Sequence, residues 1–215
     1  MSRTSDQVAV ARLAASWLLW YPDTELVERL PQISAAVATL PALTSGPLSA
    51  FLDHLDGTPL LDVQRHYVAM FDMKRRACPY LSYWTDGDTR NRGVAILRFR
   101  QAYTQAGFTP NDRELADHLA VVLEFAAVGD RLTGDALLAE HAGAVRLLRQ
   151  ALADMDSAYV HVLDAVTVTL PAMTPALQAR MAALAAAGPP VEQVGLEPFP
   201  AALTSLSLEP IGGRR

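Results

Sequence analysis

The sequence has 215 residues, of which 51% are hydrophobic and 19% are charged, and its formal net charge is −5. This length suits one well-buried domain, and the acidic balance argues against nucleic-acid binding, which requires a basic face. No apolar stretch is long enough for a membrane span, no signal peptide is evident, and the single Cys78 excludes an internal disulfide. We therefore expect a cytoplasmic protein without nucleic-acid partners or membrane insertion.

The apolar residues among the first seventy recur at the spacing that is typical of helices. Pro22 ends a first amphipathic helix, and a second helix continues past Pro31 with a kink. Residues 41–47 are predicted to be a connector, followed by a short helix that Gly57 ends in the left-handed conformation. Pro59 then opens a fourth helix that leads into a segment without a clear period.

The second half of the chain is also predicted to be helical. A helix is expected to begin at Asn111, with Glu114 three residues later in a capping-box position. Residues 138–155 have the spacing of a bundle seam, and further helices are expected at residues 159–170 and 174–188.

The predicted fold class is all-α, a single globular helical bundle, because no strand pair or internal repeat is visible. The helical domain is expected to comprise residues 1–188. Residues 189–215 contain several Pro and Gly residues without a sustained period. We expect them to form a flexible tail, because such a segment buries too little surface to offset its ordering cost.

Residues 71–93, FDMKRRACPYLSYWTDGDTRNRG, have an unusual composition. This segment combines basic, aromatic and acidic side chains: Lys74, Arg75, Arg76, Tyr80, Tyr83, Trp84, Asp86 and Asp88. A long aromatic and charged loop exposes apolar surface unless something binds to it. The alternative is that the aromatic rings close the end of the bundle and the Asp-Gly-Asp turn caps a helix. No metal site is predicted at this turn, because a hard cation needs more oxygen ligands.

Residues 114–118, ELADH, form the second informative segment. On the predicted helix, Glu114 and His118 share a face and can form an ion pair or line a polar patch beside an apolar groove. Asp117 and His118 are adjacent, so they point about a quarter turn apart and do not converge on one proton or ion. The common enzyme motifs are absent from the chain.

These two segments, together with LRFRQAY, AGF and ELADHLAVVLEF, closely resemble the NarJ type of chaperone, which assembles the molybdenum-containing, membrane-bound respiratory nitrate reductase. The resemblance covers about residues 21–170. The NarJ type belongs to the wider TorD/DmsD-like family of redox-enzyme maturation proteins, whose hallmark is a Glu-Pro-x-Asp-His pattern. That pattern reads Glu114-Leu115-Ala116-Asp117-His118 here, with Leu115 in place of the proline.

The resemblance implies a TorD-like helical fold and a cytoplasmic chaperone that is not an enzyme. It implies binding to the apo form of the catalytic (alpha) subunit of nitrate reductase, partly through the N-terminal peptide of that subunit. The chaperone would keep this client competent for insertion of the bis-molybdopterin guanine dinucleotide cofactor and for membrane docking, without binding a cofactor stably itself. Molybdenum cofactor delivery proteins are further candidate partners.

A client peptide with apolar and basic side chains, bound as a helix, requires an apolar groove with an acidic rim. The predicted groove residues are Tyr67, Phe71, Tyr80, Tyr83, Trp84, Glu114, Asp117 and His118. A second client surface is predicted from charge at Lys74, Arg75, Arg76, Asp86, Asp88, Arg90 and Arg92. If His118 lies against Asp117 or a client cation, its charge state would tune peptide affinity near neutral pH.

Two other classes of function remain open from the residues. One is a helical metal-dependent hydrolase, which would bind stoichiometric metal through His66, Asp117, His118 and His161. The other is a regulator that a small ligand alone would stabilise.

Overall fold

A computed structural model describes residues 3–110 and 113–188 of the chain. This part forms α-helices, which we number in chain order: α1 Arg3–Leu19, α2 Thr24–Val37, α3 Ala42–Asp56, α4 Leu60–Tyr67, α5 Tyr83–Asp86, α6 Arg90–Gln105, α7 Leu119–Val128, α8 Arg131–Glu140, α9 Ala142–Asp154, α10 Tyr159–Val168 and α11 Pro175–Ala187. Among the described residues, β-type pairing is confined to an isolated antiparallel bridge between Tyr80 and His118. The predicted all-α bundle is confirmed, while the predicted tail, residues 189–215, lies outside the described residues.

Helix α1 occupies the middle of the bundle. It packs against α7, α10, α2 and α3, while α9 covers α10, α8 covers α7 and α11 lies on α9. Small residues on α1, Ala11, Ala14 and Ala15, are almost fully buried and allow these helices to approach closely. The buried Arg12 joins three helices, because its guanidinium donates to Asp135 of α8 and to the Thr169 carbonyl beyond α10. One hydrophobic core therefore extends through the bundle.

In the part of the chain that the structure covers, no helix combines the length and the apolar character needed to cross a bilayer.

The helix around Pro47 differs from its prediction. Residues 41–47 were expected to form a connector, but α3 begins at Ala42 and includes Pro47. The lost backbone hydrogen bond is tolerated because one face of α3 is buried, at Thr44, Leu48, Phe51 and Leu55. Gly57 has φ −83° and ψ −2°, so the predicted left-handed end of this helix is also wrong.

The predicted helix across residues 114–118 is wrong, although Asn111, its expected first residue, lies outside the described residues. Residues 113–117 form bends and turns, and α7 begins only at Leu119. His118 is the N-cap of α7, and its side chain accepts a hydrogen bond from the Ala120 amide. The seam predicted at residues 138–155 likewise divides into α8 and α9 at His141.

The segment after α4 contains no long regular helix. Val68–Asp72 forms a π-helical turn, Arg75–Ala77 forms a 3₁₀ turn, and the four-residue α5 ends at Gly87 with φ 60°. A positive φ favours glycine, because a Cβ atom would be strained there. These short elements position the residues of the candidate site.

Candidate functional site

Backbone pairing joins the two segments that the sequence singled out. The Leu81 amide donates to the Asp117 carbonyl and the Leu119 amide donates to the Pro79 carbonyl, both at 2.9 Å. The fully buried Asp117 carboxylate also accepts hydrogen bonds from the amide and hydroxyl of Ser82 through Oδ2. Asp117 thereby fixes residues 79–82 against the start of α7.

His118 lies between two aromatic rings at this junction. Its imidazole stacks on Trp20 at 5.8 Å between centroids and meets the edge of Tyr80 at 5.1 Å. Nδ1 accepts from the Ala120 amide at 3.2 Å, so the neutral ring carries its proton on Nε2.

Burial lowers the pKa of His118 to about 4, although the neighbouring Asp117 acts in the opposite direction. Desolvation disfavours the charged imidazolium more strongly than one carboxylate favours it. His118 therefore stays neutral near pH 7. The hypothesis that its charge tunes affinity near neutrality is wrong, because the ring is buried between Trp20 and Tyr80.

This lowered pKa predicts a pH dependence of stability. The pKa of His118 is 6.5 when unfolded and about 4 when folded, so the unfolded chain binds more protons between these values. The stabilisation from neutral His118 is complete above pH 6.5 and is lost progressively as the pH falls from 6.5 to about 4. We expect a loss of about 2 kcal/mol between pH 7 and pH 5, measurable by urea unfolding.

His118→Asn provides the comparison, because an asparagine side chain can still accept from the Ala120 amide but does not titrate. The variant retains His66 and His141, whose pKa values are also lowered by burial. The difference between the two proteins in how the free energy of unfolding changes with pH therefore measures the contribution of His118. Equal changes from pH 7 to pH 5 in both proteins would contradict the lowered pKa of His118.

An open groove lies between the end of α1 and α7, beside this buried junction. A cavity of about 280 Å³ and a second of about 150 Å³ share Trp20 and Glu124 in their linings. We call the two together the α1–α7 groove. The apolar lining residues include Trp17, Trp20, Tyr21, Phe108, Pro110, Val121, Phe125 and Val128. Tyr21, Phe108 and Val128 are exposed to solvent, so the groove presents aromatic and aliphatic surface.

The rim of the α1–α7 groove is acidic. Its charged lining residues are Asp23, Glu25, Arg113, Glu114 and Glu124. Arg113 lies 3.8 Å from Glu25, and Glu114 accepts a hydrogen bond from the Tyr80 hydroxyl at 2.8 Å. Carboxylates therefore outnumber cations along the groove, which is the charge balance that favours a basic ligand.

Several predicted groove residues lie in the core. Tyr67 and Phe71 are buried, 4.8 Å apart between ring centroids, and both contact Tyr159. Tyr21, which lines the groove, covers Tyr67 with an edge contact at 5.4 Å. The contact of Tyr67 and Phe71 with a client stays a prediction. In this structure Tyr67 packs against Tyr21, and Phe71 packs against Tyr67.

Tyr83 and Trp84 line a different cavity. This loop cavity, of about 580 Å³, lies between residues 75–88, α9 and α11. Its lining includes Arg75, Arg76 and Asp88, which were assigned to a second surface. The structure thus brings Glu114, Tyr80, Asp117 and His118 together, whereas Tyr83 and Trp84 line a cavity that none of these four lines.

The remaining residues of the predicted second surface do not line the loop cavity. Arg92 pairs with Asp88 at 3.3 Å, and its guanidinium lies over the rings of Tyr80 and Tyr83. Asp86 accepts a hydrogen bond from the neighbouring Thr85 hydroxyl. The exposed Lys74 precedes the 3₁₀ turn, and Arg90 is the first residue of α6.

Comparison with known proteins provides independent evidence. Residues 37–165 match the family model described as nitrate reductase delta subunit. The chain belongs to this family.

Three relatives show how similar the sequence of this delta-subunit family member is to those of known proteins. A Bacillus subtilis 168 protein named "probable nitrate reductase molybdenum cofactor assembly chaperone NarJ" is 30% identical over 79% of this chain and 92% of that protein. The Escherichia coli K12 nitrate reductase molybdenum cofactor assembly chaperone NarJ is 32% identical over 69% of this chain and 64% of that protein. The nitrate reductase-like protein NarX of Mycobacterium tuberculosis H37Rv is 38% identical over 72% of this chain.

The chain spans only 23% of the length of NarX, whereas it spans most of the Bacillus protein. The chaperone relatives confirm the predicted membership of the NarJ type.

The proposed hydrolase site does not assemble. Within residues 3–110 and 113–188, no three His, Cys, Asp or Glu side chains are placed to hold a metal ion. His66 instead contacts the Ser157 hydroxyl at 2.8 Å and stacks on Tyr159.

Sequence reasoning missed most of the α1–α7 groove. Trp17 lies on α1 and Trp20 directly follows its last residue, and their spacing predicted only an amphipathic helix. Glu124 lies on α7 next to buried residues, where an isolated carboxylate gives no signal. The available indication was the run Trp20-Tyr21, in which two large aromatic residues immediately precede a helix-ending proline.

Proposed function

We propose that this chain is an assembly chaperone for a respiratory nitrate reductase. It binds the apo form of the catalytic subunit, including its N-terminal peptide, and keeps that subunit competent for molybdenum cofactor insertion and membrane docking. It acts in the cytoplasm and binds no cofactor stably itself. Support comes from the family and from the NarJ relatives, which are named as molybdenum cofactor assembly chaperones for nitrate reductase.

The observation that carries peptide binding is the α1–α7 groove, which has an aromatic and aliphatic lining and an acidic rim. An amphipathic helix binds in such a groove through apolar anchors spaced three or four residues apart. Basic residues on the flank of that helix would lie near Glu114 and Glu124. Glu124 is exposed and lines both cavities of the groove, so its carboxylate is accessible to a client cation.

The buried residues at the junction have a positioning role in this proposal. Asp117 fixes residues 79–82 against the start of α7, and His118 supports the ring of Trp20. Tyr80 holds the Glu114 carboxylate through a hydrogen bond. A groove whose walls are held in place in advance loses less side-chain entropy when a peptide binds.

Reversal of one rim charge tests the groove. Glu124→Lys is expected to weaken binding of the catalytic subunit's N-terminal peptide about tenfold, because an attractive charge contact becomes repulsive. Calorimetric titration of the full chain at physiological salt measures this effect. Glu140→Lys makes the same change of charge at an exposed residue at the end of α8 and should leave the affinity unchanged.

Equal losses in both variants would indicate a general effect of net charge and would argue against the groove. Absence of binding to the unmodified chain would show that recognition uses another part of the client, and the proposed role of the N-terminal peptide would then fail.

A further inference from the structure

We infer that the loop cavity is a second docking site, which binds an acidic segment of the client polypeptide that carries large apolar side chains. This inference rests on the proposed function, because the client is the partner considered. The segment proposed for the loop cavity is acidic, whereas the ligand proposed for the α1–α7 groove is basic.

The apolar half of the loop cavity comes from three elements. Tyr83 and Trp84 of α5 face Leu147 and Ala151 of α9, and Leu184 of α11 lies on the third side. The volume of about 580 Å³ falls within the range of about 300–1,000 Å³ that is typical of binding pockets. The cavity can therefore accept large apolar side chains from a partner.

The charged edge of the loop cavity carries Arg75 and Arg76. Arg75 is exposed, as is the preceding Lys74, and neither forms an ion pair with another described residue. The side chain of Arg76 is 84% exposed and lies 4.0 Å from Asp154. Because guanidinium groups bind carboxylates through paired hydrogen bonds, this edge favours a segment rich in Asp or Glu.

The acidic residues of the loop cavity are already engaged. Asp88 pairs with Arg92 at 3.3 Å, and Asp154 accepts a hydrogen bond from Gln150 at 2.7 Å. They therefore compete weakly with a partner carboxylate for Arg75.

The backbone that carries the cations is fixed. Ala77, at the end of the 3₁₀ turn, is fully buried, and the Trp84 indole donates to the Cys78 carbonyl at 3.1 Å. Burial raises the pKa of Cys78 to about 11, so its thiol stays protonated and adds no negative charge. The apolar wall and the cations therefore lie side by side on a fixed backbone, where one ligand can contact both.

Designed peptides test this chemistry with the full chain. The first probe is a twelve-residue peptide that alternates Glu with Leu and Phe, the second replaces every Glu by Lys, and the third replaces the apolar residues by Ser. We expect binding of the first peptide and at least tenfold weaker binding of the other two, measured by calorimetry.

Two variants with matched controls locate the binding site. Arg75→Glu combined with Arg76→Glu should weaken binding of the acidic peptide at least tenfold. Arg65→Glu combined with Arg98→Glu is the matched control, because it changes the net charge by the same amount outside the cavity. Ala185→Trp should fill the cavity and weaken binding, whereas the neighbouring Ala186, which does not line it, provides the control Ala186→Trp.

The same variants separate this inference from the proposed function. Binding of the catalytic subunit's N-terminal peptide should be unchanged in the Arg75 and Arg76 double variant. If only the acidic peptide binds, the groove proposal fails and the loop cavity stands as a docking site. Equal binding of the Glu and Lys peptides, no binding of either, or no effect of Ala185→Trp would overturn the inference.

Discussion

Gly134→Ala is expected to lower the free energy of unfolding by about 3 kcal/mol, as for other overpacked cores. Gly134 lies where α8 crosses α7, and a Cβ atom there would approach the Cα of Ala126 to 2.4 Å. Ala126 is fully buried in α7, so the two helices would have to move apart. The gain in helix propensity, about 1 kcal/mol, is smaller than this cost.

Gly93→Ala is the matched control, because Gly93 is also helical but a Cβ atom there meets nothing within 4 Å. We expect it to raise the free energy of unfolding by about 0.5–1 kcal/mol through reduced backbone entropy of the unfolded chain. Urea unfolding of both variants measures the difference. Similar values for the two variants would mean that α7 and α8 are less closely packed than described.

Asp117→Ala is expected to destabilise the protein by about 3 kcal/mol. The substitution removes the acceptor for the Ser82 amide and hydroxyl, and an unsatisfied buried donor costs about 1–3 kcal/mol. It also releases residues 79–82 from the start of α7. Thermal and urea unfolding of the variant would measure this loss.

Asp117→Asn distinguishes the role of the acceptor from the role of the charge. The amide oxygen can still accept from Ser82, so we expect a clearly smaller loss of stability than in Asp117→Ala. Affinity for the N-terminal peptide should change little, because Asp117 is fully buried and does not line the α1–α7 groove. A large loss of affinity in a stable Asp117→Asn protein would place the peptide at Asp117 itself.

The elements that were predictable carry strong local signals. Asp23 caps α2 by accepting from the Leu26 amide, and Thr174 caps α11 by accepting from the Leu177 amide. Helix α10 follows the spacing expected across residues 159–170. In each case, residues within one or two helical turns determine the boundary.

The candidate site was less predictable because long-range contacts shape it. A capping-box pattern favoured a helix through Glu114, but backbone hydrogen bonds of Asp117 and Leu119 to Leu81 and Pro79 hold the residues before α7 in another conformation. These partners lie more than thirty residues away in the sequence. The residue type alone also could not predict that Tyr67 is buried while Tyr21 is exposed, because both are tyrosines.

The distribution of tryptophan gives the protein a built-in optical reporter. The chain contains three tryptophans, and Trp17 and Trp20 line the α1–α7 groove whereas Trp84 lines the loop cavity. Intrinsic fluorescence therefore originates at both surfaces, without any attached dye. In Trp84→Phe, the remaining tryptophan emission would report the groove alone, and its difference from the emission of the unmodified protein would report the loop cavity.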